Sequence, residues 1–115
     1  MHEVAMALSV IQMVKEVAEV NHLKQVSKIM IKRGVLSGIL EESFLFAFEC
    51  LKNESSGLLK MTQIEFTHLE VDVVCLVCRQ QFKLDRYKKV CPYCGGKELY
   101  YPSAYDFFVE SIEGE

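Results

Sequence analysis

The chain has 115 residues, half of them hydrophobic, and a formal net charge of −3 from 13 basic and 16 acidic side chains. That length suits one compact domain with a small appendage and allows a real core. The mild acidity argues against a protein that coats nucleic acid through bulk charge, and no apolar run approaches the roughly 20 residues of a spanning helix.

No basic region precedes the first apolar residues, so a secretory leader is not expected and a cytoplasmic, reducing setting is. Residues 4–20 predict a helix. Ser9, Gln12, Glu16 and Glu19 recur at three- and four-residue steps as a polar stripe, opposite Val4, Ala7, Leu8, Ile11, Val14 and Ala18. Asn21 suits its end. Residues 25–33 alternate, with Ile29 and Ile31 on one side and Lys28, Met30 and Lys32 on the other, the pattern of a strand with one buried face. Gly34 and Gly38 bound a turn-rich connection.

Residues 41–53 predict a second helix. Glu41 and Glu42 suit the positive end of its dipole, and Phe44, Phe48 and Leu51 line one face with Leu45 and Ala47 beside them. Cys50 falls in this apolar stretch and is expected to be a buried, inert thiol. A loop is expected over 53–57, a second strand over 59–69 and a third over 105–112.

Composition changes near Val73. The segment 75–98 carries six basic residues against Asp85 and Glu98 and is +4, which leaves the rest of the chain at −7. The break coincides with two C-x-x-C pairs, Cys75/Cys78 and Cys91/Cys94, twelve residues apart. In a reducing setting such pairs read as a metal site. Four thiolates in a tetrahedron suit zinc, although spacing does not separate zinc from rubredoxin-like iron. The intervening residues, including 82–84, are expected to form a short hairpin that brings the pairs together. With four sulfurs the site has no open position, so the metal is structural rather than hydrolytic and supplies most of the folding energy of so small a module.

The amino terminus reads Met1-His2-Glu3. A large residue at position 2 disfavours removal of Met1, so its amine stays free beside the His2 amide and imidazole. These three nitrogens close one five-membered and one six-membered chelate ring, a flat donor array that suits nickel(II) or copper(II). Glu3 can add an oxygen or orient the imidazole, and equally suits a first helical turn.

Together these features resemble the HypA/HybF nickel-insertion proteins over the full length. The resemblance rests on Met1-His2-Glu3, Gly34-Val35-Leu36-Ser37-Gly38, Phe46-Ala47-Phe48-Glu49, Cys91-Pro92-Tyr93-Cys94-Gly95 and Ser111-Ile112-Glu113. It implies an α+β fold of two helices packed on a small three-stranded mixed sheet, residues 1–70 plus 101–115, with a zinc-ribbon module over 71–100. It implies a nickel metallochaperone, not an enzyme, with nickel at Met1, His2 and Glu3 and structural zinc at Cys75, Cys78, Cys91 and Cys94. The expected partners are the nickel-handling GTPase of hydrogenase maturation, the hydrogenase large subunit and, where urease is the client, a urease accessory protein; neither membrane nor nucleic acid is expected. Two departures stand out: many members carry an acid at position 40, where this chain has Leu40 followed by Glu41 and Glu42, and many have a glycine-led segment where this chain reads Pro102-Ser103-Ala104-Tyr105-Asp106. Glu41 is the candidate for the missing acid. The alternative from another class is a zinc-ribbon module that binds nucleic acid or protein through its basic face.

Overall fold

The computed structural model describes residues 2–54, 57–85 and 87–115. In chain order the elements are α1 (His2–Val20), β1 (Val26–Arg33), α2 (Glu41–Leu51), β2 (Gln63–His68), β3 (Asp72–Cys75), β4 (Gln81–Lys83), β5 (Leu99–Tyr100) and β6 (Phe107–Gly114). They form two compact units. One takes the described residues of Met1–Ile31, Ile39–Phe66 and Val109–Glu115; the other takes Lys32–Gly38 and Thr67–Phe108. No helix among the described residues is long and apolar enough to cross a membrane.

Within the first unit α1 packs against α2. Ala7, Val10, Ile11, Val14 and Ala18 are its buried residues. Leu8, expected on the apolar side, is half exposed, and Val10 takes the inward place. The helix ends in a left-handed cap. His22 has φ 57°, its N–H donates to the Glu19 carbonyl at 3.2 Å, and the Leu23 N–H donates to the Ala18 carbonyl at 2.8 Å. That cap explains an exposed histidine at this position without any ligand. Phe44, Ala47 and Phe48 are buried on α2, and Phe44 meets Phe66 of β2 edge-on at 5.8 Å. The loop expected over 53–57 includes residues 55 and 56, which lie outside the described residues.

The first sheet has the order β2-β1-β6. Val26 N–H donates to Leu58 C=O at 3.0 Å and Leu69 N–H to Arg33 C=O at 2.9 Å, so β1 and β2 run the same way and α2 is their crossover. Gln25 and Glu115 exchange bonds of 3.1 and 2.9 Å, and Gly34 N–H donates to Asp106 C=O at 2.8 Å, which makes β6 antiparallel to β1. The sheet is therefore mixed, as expected. Ile29 and Ile31 are fully buried. The strand expected over 59–69 is shorter because Lys60 and Thr62 donate back into turns at Gly57 and Leu59; Leu59 is buried there, and the Thr62 hydroxyl donates to the Val26 carbonyl.

The second unit holds the antiparallel sheet β4-β3-β5. Residues 82 and 83 lie in a hairpin strand: Gln81, Phe82 and Lys83 pair back onto Val74, Val73 and Asp72, and the first cysteine pair forms the hairpin turn. The chain reverses again at the bridge between Asp85 and Lys88. Gly34 lies against the short 3-10 turn Pro102–Tyr105. A methyl group on Gly34 would collide with the Ala104 and Ser103 backbone, which cannot yield as a side chain can. Gly34→Ala is expected to lower stability by about 1–3 kcal/mol, read from denaturant midpoints. Gly38 is needed for another reason, its φ of 77°.

Candidate metal centre

The four cysteine sulfurs, two brought in by each C-x-x-C turn, all lie within 4.8 Å of one another. Cys75 Sγ is 3.7 Å from Cys94 Sγ, and Cys78 Sγ is 3.6 Å from Cys91 Sγ. A regular tetrahedron with zinc–sulfur bonds of about 2.3 Å has edges of about 3.8 Å. The donor set and its dimensions fit a structural zinc ion.

The two turns are built alike. Arg79 N–H donates to the Cys75 carbonyl at 2.9 Å, and Gly95 N–H to the Cys91 carbonyl at 2.8 Å. Cys75 N–H reaches Gln80 C=O at 3.0 Å, and Cys91 N–H reaches Gly96 C=O at 2.8 Å. Amides point at sulfur in both: Cys78 N at Cys75 Sγ (3.5 Å), Tyr93 N at Cys91 Sγ (3.4 Å) and Gly96 N at Cys94 Sγ (3.4 Å). Such donors favour thiolate over thiol.

The residue after each second cysteine is left-handed, Gly95 at φ 74° and Arg79 at φ 67°. Only the glycine adopts this without cost. Arg79→Gly is expected to stabilise the zinc-bound protein by about 1 kcal/mol and Gly95→Ala to destabilise it by about 1–2 kcal/mol. The second effect is purely conformational, since a Cβ at Gly95 meets nothing within 4 Å. Thermal unfolding of the zinc form checks both signs.

The thiols share the burden of charge unequally. Hydrogen bonding from the Cys78 amide draws Cys75 down to about 6. At Cys94 the Gly96 amide favours the thiolate, but desolvation and the sulfurs of Cys78, Cys75 and Cys91 push it up to about 12. Cys78 is also raised: the Gln80 amide lowers it, and desolvation with the Cys91 sulfur outweighs that. Desolvation opposes the Cys91 thiolate, yet the Cys94 and Tyr93 amides bring its value down. Four anions this close need a cation between them.

The amino-terminal motif is placed differently. Met1 lies outside the described residues. His2 is the exposed first residue of α1, and Glu3 is half-buried in its first turn. Glu3 lines a groove of about 460 Å³ together with Val4, Glu42, Phe46, Cys50 and Leu51. Glu42 lines that groove; Glu41 is not among its walls. Cys50 is exposed, which corrects the expectation of a buried thiol. Helix rotation is the reason: Phe44, Ala47 and Phe48 face the core, and Cys50 shares the other side with Phe46, which is 73% exposed. Among the described residues the four cysteines are the one cluster of three or more metal-ligating side chains.

A family model described as hydrogenase/urease nickel incorporation, metallochaperone, hypA, matches residues 1–114. A hydrogenase maturation factor HypA of Francisella philomiragia is 38% identical over 112 residues, 97% of each chain. Another, of Chlorobium luteolum, is 31% identical over 119 aligned positions, the full length of both. The solution structure of the Ni metallochaperone HypA from Helicobacter pylori superposes with a TM-score of 0.72 over 97% of this chain and 96% of that one, at 23% identity, a likeness of fold.

Proposed function

Because this chain belongs to the HypA family of hydrogenase/urease nickel-incorporation metallochaperones, we propose that it carries its nickel at Met1, His2 and Glu3. The supporting observation is placement. His2 stands exposed as the first residue of α1, so its imidazole is open to an ion from solvent. Helical hydrogen bonding does not compete, because the first amides of a helix have no intrahelical acceptor. Glu3, at the mouth of the groove, supplies an oxygen or orients the ring. Glu42 lines the same groove and replaces Glu41 as the candidate for a further carboxylate.

Delivery needs a site that binds and releases. One side-chain imidazole, one amine and one backbone amide at an exposed helix start leave the fourth flat position for the Glu3 oxygen or for a donor from a receiving protein. The work is transfer of a metal ion rather than catalysis, and we place it in the cytoplasm. Cys75, Cys78, Cys91 and Cys94 hold zinc as a structural ion within the module 71–100, and residues 1–70 with 101–115 carry the nickel. The GTPase of hydrogenase maturation and the hydrogenase large subunit are the partners this reading requires.

Metal analysis of untagged protein tests the assignment. One zinc and one nickel per chain are expected, and a tag that occupies the terminal amine should remove the nickel alone. Nickel retained in full by the tagged chain would sink the terminal site.

A further inference from the structure

We propose that the two cysteine turns of the ribbon together form a docking surface for an acidic protein segment with an apolar anchor, offered by the client enzyme that receives the nickel. The four residues between the paired cysteines all point outward. Leu76 is 44% exposed, Val77 60% and Tyr93 64%, and Pro92 is exposed as well. The clustered sulfurs hold the two turns side by side. Gly96 of the second turn touches Val77 of the first, since a Cβ there would lie 3.2 Å from Val77 Cγ2. The two turns thus lie side by side, each with its apolar side chains exposed.

Metal binding does not account for it. Tyr93 serves a thiolate only through its backbone N–H, which any non-proline residue supplies, and the Leu76 N–H goes to the Glu98 carbonyl instead. An apolar patch left on a small unit whose own core is modest marks a contact site. Its rim is mainly basic: Arg79 follows Cys78, Lys89 precedes Cys91 by two and Lys97 follows Gly96, all exposed, against the single acid Glu98 beside Leu76. An apolar centre with a cationic rim selects a partner with an apolar side chain flanked by carboxylates. Nucleic acid fits less well. Leu76, Val77 and Pro92 offer no flat face for a base, and a single exposed ring, Tyr93, does not make a stacking platform.

The choice of occupant rests on the nickel-delivery reading above; the surface does not. The test uses the full chain and the purified nickel-free large subunit of the same cell's hydrogenase, with binding measured by interferometry. Val77→Ser with Tyr93→Ser should weaken binding more than tenfold, and Arg79→Glu with Lys97→Glu about tenfold with loss of salt dependence. Zinc and nickel should stay at one each in both variants. The charge variant touches no thiolate, so it decides the matter should the first variant lose zinc. Equal binding by variants and parent overturns the proposal. So does a parent chain that binds nickel but not the large subunit, which leaves the nickel site standing. A chain that binds the large subunit through the patch yet takes up no nickel would sink the delivery reading instead. Retardation of DNA or RNA, or a concentration-dependent dimer, abolished by the same substitutions would overturn the proposal in favour of those occupants.

Discussion

Replacing His2 with alanine is expected to abolish nickel binding while zinc content and fold stay as they were. Loss of partners outside the coordination sphere typically costs about 10- to 100-fold in metal affinity, so loss of the imidazole itself should exceed that. His2 is the exposed first residue of α1, and the residues that pack that helix begin further along at Ala7. The circular dichroism spectrum and unfolding midpoint should therefore match the parent. Calorimetric titration with nickel and elemental analysis of the same sample read both halves of the expectation. A His2→Ala chain that binds nickel as the parent does would place the ion elsewhere. In the parent, protons compete with nickel for the amine and the imidazole, so affinity falls as pH falls.

Cys75→Ser is expected to release zinc and loosen the second unit, leaving the helices of the first. Structural zinc contributes on the order of 10–16 kcal/mol to small modules at neutral pH. Cys75 sits where local bonds converge: it ends β3, pairs with Leu99 of β5, and its sulfur is fully buried 3.7 Å from that of Cys94. The buried residues around it in that unit are few, mainly Val71, Val73, Cys91 and Ala104. Zinc content should fall to near zero and amide protection over residues 72–100 should collapse, while the helical signal persists because α1 and α2 belong to the other unit. Full retention of zinc would refute the four-sulfur assignment.

The direction of the proton balance follows from the same cluster. Cys78 and Cys94 are both raised from an ordinary value of 9.0, so near neutrality the metal-free chain holds a proton on each. Zinc must displace both, and its affinity should drop at least about 100-fold for each unit of acidification. Titration in buffers of different ionisation enthalpy counts the protons released. Fewer than two would contradict the assigned protonation.

Much of the architecture was legible along the chain. Helix periodicity located α1 and α2, and alternation located β1, because these signals report which face of a local element is apolar. The regular spacing of Cys75, Cys78, Cys91 and Cys94 identified the ligand set, since two sulfurs three residues apart are within reach of one ion in a tight turn. Periodicity erred where one residue could face either of two sides. Leu8 and Val10 traded places, and Cys50 turned outward because α2 is apolar on both sides and only packing shows which side is inward.

The sequence by itself determined α1, α2 and β1, the four clustered cysteines and the order of the proposed nickel donors Met1-His2-Glu3. All of these depend on residues a few positions apart, whose geometry the backbone dictates. Only the tertiary structure decided relations between distant segments. It joined Lys32–Gly38 to the cysteine-bearing unit through bonds from Gly34 and Leu36 to Asp106 and Ala104. It made the first cysteine pair a hairpin turn, set Glu42 rather than Glu41 in the groove with Glu3, and laid the two cysteine knuckles side by side. Contacts across such separations follow from packing of whole elements, which no local pattern of charge or hydropathy encodes.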